Sequence, residues 1–229
     1  MSLVDSMDLK LTQGWWIPKY DKLLTKKISG KGTQKQLKDP HWVKYEGKMR
    51  KYFLNIMPKK RTMIDVGANI GTWSRTMCNR FDNIIAFEPA PQNVIAFKKN
   101  LDGYYNVDLI EKGLSDKTQN NVRFYLNNVN CGHIAIKKTD TEDQGDFFAN
   151  ITTLDNFNYK NVDLIKIDVE GDEFKVLKGA EETIKRCRPY IVIEKNPGFL
   201  EINRWIKKFG YNIDVSKRAI IYTPDVKII

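Results

Sequence analysis

Cysteine and histidine are scarce in this chain, and their scarcity argues against two classes of site. The 229 residues contain three cysteines, Cys78, Cys131 and Cys187, and two histidines, His41 and His133. An odd number of widely spaced cysteines argues against a disulfide framework and indicates a reducing compartment. Two histidines are too few for a histidine-rich metal centre, and Cys131 with His133 lacks the partners of a zinc site.

Long apolar runs are also missing. No run approaches the roughly 18 residues of a membrane span, and residues 1–16 lack the basic and apolar regions of a secretory signal. We therefore expect a cytoplasmic protein without a transmembrane segment. With 41% hydrophobic and 29% charged residues, the composition is typical of a globular domain with room for an appendage.

Acidic residues are few in the first quarter of the chain. Residues 1–60 contain 14 Lys and Arg against 5 Asp and Glu, whereas residues 61–229 contain 24 against 23. This asymmetry indicates either a solvated basic face or a segment with an anionic partner. We predict a basic N-terminal extension over residues 1–60, with a loop at 26–38 and one amphipathic helix at about 40–57, where apolar residues recur at helical spacing.

From residue 61 onwards, short apolar strands alternate with helical segments. The pattern predicts strands near 61–67, 83–89, 106–115, 162–171 and 189–195, helices near 72–81, 91–101, 172–187 and 196–210, a hairpin between 122 and 155, and a final hairpin from 211 onwards. Such alternation indicates an α/β fold with a mostly parallel sheet, right-handed crossovers and helices on both faces.

The stretch MIDVGANIGTWS, residues 63–74, predicts a ligand-binding turn. A strand that leads through a glycine-rich turn into a helix offers backbone N–H groups to a ligand. Gly67 would let the ligand approach the backbone, Gly71 would let the helix pack near the strand, and Asn69 tolerates unusual backbone angles. Glu88 ends the next strand, where an acid accepts hydrogen bonds from ribose hydroxyls. We expect a ligand that contains a nucleoside.

The turn distinguishes between two nucleoside cofactors. Its G-A-N-I-G spacing differs from the G-x-G-x-x-G of dinucleotide sites. Asp65 precedes the turn, and its carboxylate would repel a pyrophosphate but would suit the ammonium group of S-adenosylmethionine (SAM). The local chemistry favours SAM. An NAD-type oxidoreductase is one alternative, and a module that binds nucleic acid or an anionic surface through residues 1–60 is another.

An ordered set of motifs resembles the FkbM-like methyltransferases. The motifs are DVGANIGTWS, FEP at 87–89, GLSD at 113–116, TTLDNF at 152–157, KIDVEGDEFKVLKGAE at 166–181 and RPYIVIE at 188–194. The resemblance covers about residues 61–216. It implies the Rossmann-like, seven-stranded class I methyltransferase fold with a C-terminal antiparallel hairpin. It also implies SAM as cofactor, S-adenosylhomocysteine as product, and O-methylation of a hydroxyl on a sugar, polyketide or related acceptor.

The resemblance further implies a set of cofactor-binding residues. Asp65, Gly67, Asn69 and Gly71 would line the methionine part, Glu88 would bind the ribose, Ser115 and Asp116 would lie near the adenine, and Ala68, Thr72 and Pro89 complete the predicted set.

Acidic residues follow the predicted strand VDLIKI, at the end of the sheet where ligands bind. Asp168 and Glu170 are two apart and would share a face in an extended segment. Either could take the proton of the acceptor during in-line methyl transfer. His133 is the third candidate base because of its intrinsic pKa. Asp172 and Glu173 fit the preference for acids in a first helical turn.

No metal is expected at this cluster, since acids at the start of a helix need no ion to explain them. If Asp168 and Glu170 did hold Mg²⁺ or Ca²⁺, Asp155 and Glu194 would be the other available ligands. The expected partner is a small-molecule or glycan acceptor, and the basic extension slightly favours an anionic one. Binding of nucleic acid through residues 1–60 is the less favoured expectation.

Overall fold

The computed structural model describes residues 8–29, 46–126, 131, 134–136, 146–195, 198–216 and 219–225. Its strands are β1 (Leu9–Thr12), β2 (Trp15–Pro18), β3 (Thr62–Val66), β4 (Asn83–Phe87), β5 (Val107–Ile110), β6 (Gly113–Leu114), β7 (Gln119–Leu126), β8 (Ile134–Ile136), β9 (Asp146–Thr152), β10 (Val162–Ile167), β11 (Tyr190–Glu194), β12 (Tyr211–Val215) and β13 (Ala219–Pro224). Its α-helices are α1 (Lys22–Ser29), α2 (Gly47–Ile56), α3 (Thr72–Met77), α4 (Pro91–Asn100), α5 (Glu173–Lys178), α6 (Glu181–Cys187) and α7 (Phe199–Lys207).

A seven-stranded sheet forms the centre of the fold, in the order β12-β13-β11-β10-β3-β4-β5. The strands from β11 to β5 pair in parallel, whereas β13 runs antiparallel to both β11 and β12. This order and the antiparallel hairpin at the C-terminal side confirm the predicted α/β fold class. The carboxyl ends of β3, β4 and β10 therefore meet at one edge of the sheet.

The two faces of the sheet bury different side chains, because successive residues of a strand point to opposite sides. Ile64 of β3 packs in a buried cluster with residues of α5, α6 and α7. Its neighbour Met63 packs in a second cluster with Phe53 of α2 and Trp73 of α3. Helices therefore cover both faces, as predicted. Trp73 also donates from Nε1 to Glu46 Oε2 at 2.6 Å.

A second sheet of four strands, β6-β9-β7-β8, follows the first three parallel strands in the chain. The antiparallel pairing of β7 with β9 confirms the two predicted strands between 122 and 155, but β8, which pairs with β7 on its other side, was not predicted. The prediction of one strand over 106–115 was wrong. Lys112 N donates to Ile110 O at 2.8 Å, and this tight turn sends β5 into the large sheet and β6 into the small one.

The predicted helix over 172–187 is interrupted. A Cβ at Gly179 would lie 1.9 Å from Ser115 O, so the backbone of a distant loop approaches the helix at this point. The Asp155 carboxylate then caps α6, since it accepts from Thr183 N at 2.8 Å and from Thr183 Oγ1 at 2.7 Å. Asp155, considered above as a metal ligand, is thus used as a helix cap.

Residues 8–29 of the N-terminal extension form a hairpin followed by a helix, and β2 of the hairpin packs against α4. Asn100 of α4 accepts from Trp16 N at 2.7 Å and donates to Trp16 O at 2.9 Å. The Arg75 guanidinium lies 4.4 Å from the centre of the Trp15 ring. Both tryptophans therefore anchor the segment to the rest of the protein.

Two predictions for this extension need correction. Residues 26–29, predicted as the start of a loop, end helix α1, and residues 30–38 lie outside the described residues. The predicted helix at 40–57 appears as α2, which begins at Gly47, and residues 40–45 lie outside the described residues. Within residues 8–29 and 46–60, the described part of the extension, there are two helices and a hairpin, where one helix was predicted. The domain boundary at residue 60 stays a prediction. In the described part of the chain, every helix is too short or too polar to cross a membrane.

Gly71 is expected to be essential for the packing of α3 against α4. Its φ is +87°, and an added Cβ would lie 2.4 Å from Leu101 Cδ1. We expect Gly71→Ala to lower the free energy of unfolding by about 2–4 kcal/mol, because the left-handed backbone and overpacking both contribute. The loss is measured by urea unfolding.

Gly103→Ala is the matched control. Its φ is +83°, but an added Cβ would meet no atom within 4 Å. It should lose only the backbone contribution of about 1–2 kcal/mol. Equal losses in the two variants would contradict the packing role of Gly71.

Candidate functional site

A cleft opens at the carboxyl ends of β3, β4 and β10. Its described lining includes Gly67 and Asn69 after β3, Glu88 after β4, Asn93 in α4, and Asp168 after β10. On the opposite side, Leu114, Phe124, Ile134 and Ile136 of the small sheet form an apolar wall. The cleft thus combines a backbone turn, the three carboxylates Glu88, Asp168 and Asp172, and an apolar surface.

The glycine turn is held closely against the neighbouring strands. Gly67 has a φ of +69°, and an added Cβ would lie 1.9 Å from Asp168 O. Gly67 N and Ala68 N both donate to Phe87 O at 3.0 Å. Glycine is required here by the approach of the chain after β10, a reason that the sequence did not reveal. Asn69 follows with a φ of +53°.

Glu88 joins this turn to the start of α4. The residue is 2% exposed. Its carboxylate accepts from Asn69 N at 2.7 Å, from Ala90 N at 3.0 Å and from Asn93 Nδ2 at 3.4 Å. Burial raises the pKa of Glu88 to about 7, although these hydrogen bonds act in the opposite direction. A carboxylate has about four acceptor positions, so it retains capacity for a ligand in the cleft.

Lys166 is a candidate site residue that the sequence patterns did not indicate. It lies in β10, and its Nζ donates to Gly67 O at 2.7 Å. The same Nζ is 3.3 Å from Asp65 Oδ1 and 3.8 Å from Asp168 Oδ2. Burial alone would lower the pKa of Lys166, but the two carboxylates outweigh it and the pKa is raised. The available signal was a lysine within the apolar run VDLIKI.

Asp65 lies behind the glycine turn and outside the described lining of the cleft. It is fully buried and accepts from Ser74 Oγ at 2.7 Å. Its charge is opposed by Lys166, so it fixes that lysine and α3. The predicted contact with the methionine part has no counterpart in the described lining. Ala68, Gly71 and Thr72, from the same prediction, also lie outside that lining.

The predicted adenine region is displaced by a few residues. Gly113 and Leu114 line the cleft, whereas Ser115 and Asp116 do not appear in the described lining. Ser115 is buried, and its backbone N donates to Thr152 O at 2.9 Å. Asp116 is exposed. Pro89, by contrast, lines the cleft as part of the Glu88 segment.

Three carboxylates gather beside the cleft. One oxygen from each of Asp168, Glu170 and Glu194 lies within 4.8 Å of the others, a spacing that would accommodate a cation. Burial and the charge of Asp168 raise the pKa of Glu194 to about 7. Glu170 has a φ of +55°, so it reaches the cluster through a turn and not through the extended segment expected above. His133 lies outside the described residues.

The two remaining acids of this region have separate roles. Glu173 is 1% exposed and accepts from Gly171 N at 3.1 Å and from Val169 N at 3.3 Å. It therefore fixes the turn that carries Asp168. Asp172 lines the cleft and pairs with Lys175 at 2.7 Å.

Comparison with known proteins adds a family assignment. Residues 65–213 match the model of the methyltransferase FkbM domain. The chain is 26% identical to methyltransferase sdnD of Sordaria araneosa over 76% of its own length and 82% of that protein. It is also 26% identical to methyltransferase 1 of Beauveria bassiana, over 75% of its own length and 80% of that protein.

Solved structures show the same fold. An FkbM methyltransferase from Methylobacillus flagellatus aligns with a TM-score of 0.52 and 17% identity, over 71% of this chain and 43% of that chain. A putative methyltransferase from Streptococcus mutans, solved in complex with S-adenosylhomocysteine, aligns with a TM-score of 0.50 and 11% identity, over 76% of this chain and 94% of that chain.

Lys166→Met tests the buried ion pairs. The variant leaves the buried Asp65 carboxylate without its cation, and we expect a loss of about 3–5 kcal/mol in the free energy of unfolding. Lys175→Met is the control, because its partner Asp172 is more exposed and the pair should contribute about 0–1 kcal/mol. Urea unfolding measures both. Equal losses would show that Lys166 does not compensate a buried charge.

Glu88→Gln tests the ionisation of the buried carboxyl. Because the folded-state pKa is raised to about 7 from 4.5, the folded state binds the proton more tightly, and wild-type stability falls as the pH rises through this window. Relative to Glu88→Gln, the wild type should lose about 2–3 kcal/mol between these pH values. Urea unfolding at a series of pH values gives the difference. A difference that is independent of pH would contradict the raised pKa.

Proposed function

The chain belongs to the FkbM methyltransferase family, and from this premise we propose that it uses SAM to methylate a hydroxyl group on a small acceptor such as a sugar or a polyketide. One observation carries the proposal. A single cleft contains a nucleoside-compatible carboxylate, Glu88, beside a glycine turn, and a candidate proton acceptor, Asp168, next to the same turn.

The residues of the cleft fit SAM in three respects. Glu88 presents a carboxylate where ribose hydroxyls would donate. Asn93 Oδ1 is buried and has no hydrogen-bond partner among the described residues, so a donor group of a ligand would satisfy it. The apolar side chains of Leu114 and Phe124 suit an adenine ring. The neighbour from Streptococcus mutans, which has the same fold and was solved with S-adenosylhomocysteine, supports this choice.

When bound, SAM supplies an electrophilic methyl group, so the chain has to align the acceptor and remove its proton. Asp168 is the residue that we assign to accept this proton. It is half-buried in the lining of the cleft and lies 3.8 Å from the ammonium of Lys166. Lys166 is itself hydrogen-bonded to Gly67 O, so it fixes Asp168 relative to the cofactor turn. Glu194 would support Asp168 as its carboxyl neighbour.

The charged residues that line the cleft indicate which charge the acceptor can carry. The described lining contains carboxylates and apolar side chains, and none of its described members is a lysine or an arginine. Such a surface favours a neutral acceptor over an anionic one, since carboxylates repel negative charge. We therefore propose a neutral small molecule or glycan that carries a hydroxyl, and we assign the basic extension no part in choosing it.

Transfer of a tritiated methyl group from SAM tests the proposal. The purified chain is incubated with pools of sugar glycosides and hydroxylated polyketides. We expect the label in methyl ethers. Such products survive alkaline hydrolysis and are not retained by a cation exchanger. Label that alkali releases would indicate methyl esters, and label on the exchanger would indicate amines. Either result would contradict methylation of a hydroxyl.

The role of Asp168 is tested in the same assay. Asp168→Asn should reduce the rate of methyl transfer by about 10²–10⁴-fold, the range expected for a lost general base. The Kd for S-adenosylhomocysteine should stay within about threefold of wild type, a change of less than about 1 kcal/mol in binding free energy. Asp172→Asn, an acid of the same cleft that pairs with Lys175, is the matched control and should retain most activity. Wild-type turnover by Asp168→Asn would refute the assignment.

A further inference from the structure

Residues 8–29 lie outside the region that matches the family model, yet their contacts reach the cleft. We infer that Asp21, in this N-terminal segment, is a positioning residue for the cofactor site, which it acts on through Cys131. The inference rests on the proposed use of SAM. It assigns to the extension a part in building the site, in place of a nucleic-acid or membrane contact.

Asp21 uses its two carboxylate oxygens for two different purposes. The residue is fully buried. Its Oδ1 accepts from Leu24 N at 2.7 Å, which caps helix α1. Its Oδ2 accepts from Cys131 N at 2.9 Å, 110 residues further along the chain. One oxygen therefore stabilises the segment, and the other holds a residue of the cleft.

Cys131 contacts the glycine turn at Asn69 and, through Asn93, is connected to Glu88. The residue is fully buried and lines the cleft. Its thiol donates to Asn69 Oδ1 at 3.3 Å, and its carbonyl accepts from Asn93 Nδ2 at 2.9 Å. Asn69 N and Asn93 Nδ2 both donate to the Glu88 carboxylate. Asp21 is thus two residues removed from the group that we assign to the ribose.

The extension does not depend on Asp21 for its attachment. Trp15, Ile17, Leu24 and Ile28 are buried in one cluster with Ile70 and Ala96 of the main domain. The Asn100 side chain also forms hydrogen bonds with both the backbone N–H and the backbone C=O of Trp16. Loss of the bond to Cys131 should therefore leave the segment docked, and the positioning effect becomes separable from a general effect on stability.

Asp21→Asn is the variant that separates the two effects. Asparagine has nearly the same shape and retains Oδ1 to cap α1, but its amide group would face Cys131 N with a donor against a donor. The control is Asp8→Asn in the same segment, because the Asp8 carboxylate is exposed and pairs with Lys19 Nζ at 2.8 Å. The readouts are the Kd for S-adenosylhomocysteine, the Tm, and the rate at which iodoacetamide alkylates each cysteine.

We expect Asp21→Asn to raise the Kd about tenfold, the effect of one lost hydrogen bond to a charged group. The Tm should fall by about 3–6 °C, the shift that loss of one such bond produces in a chain of this length. Alkylation of Cys131 should accelerate while Cys78, buried elsewhere, stays protected. Asp8→Asn should match the wild type in every readout. Cys131→Ser, which keeps a donor for Asn69, should bind better than Cys131→Ala.

Two results would overturn the inference. A wild-type Kd in Asp21→Asn would show that Asp21 does not position the site. A raised Kd that is accompanied by a large fall in Tm and by alkylation of Cys78 would show a general loss of structure. Failure of the wild-type chain to bind S-adenosylhomocysteine is a different result, since it would refute the proposed function itself.

Discussion

The buried carboxylate of Glu88 organises the site. It lies at the end of β4 and accepts hydrogen bonds from the turn after β3 and from the start of α4. Ionisation of a buried acid is unfavourable, and its pKa of about 7 reflects the burial that these donors only partly offset. Glu88 lines the cleft beside the glycine turn, where a nucleoside could bind. A ligand that donates further hydrogen bonds would stabilise its charged form.

The second constraint is charge balance around Lys166. A single buried ammonium lies between Asp65 behind the turn and Asp168 at its front, and it also holds the carbonyl of Gly67. The turn that would hold the cofactor and the residue that would accept the proton are therefore positioned by one cation. Displacement of Asp65 or of Asp168 would shift Lys166 and with it the other carboxylate, because the Lys166 ammonium balances the negative charge of both.

Local patterns in the sequence predicted most of the fold and part of the site. Alternating strands and helices specified the parallel sheet, and Glu88, the acid after the second strand, lies in the cleft, while its predicted contact with ribose stays a prediction. Contacts between distant segments could not be predicted. The helix break at Gly179 follows from the approach of Ser115, the direction of Asp65 is set by Lys166 on the neighbouring strand, and Cys131 enters the cleft through its bond to the N-terminal segment. Only tertiary packing determines these three features.

The most direct test of the account is calorimetric titration of the purified chain with S-adenosylhomocysteine, with NADH titrated in parallel. We predict a micromolar Kd for S-adenosylhomocysteine and no heat of binding for NADH, because Glu88 and the turn around Asn69 suit a nucleoside without a pyrophosphate. Binding of NADH in place of S-adenosylhomocysteine, or of neither compound, would contradict the assignment of this cleft to SAM.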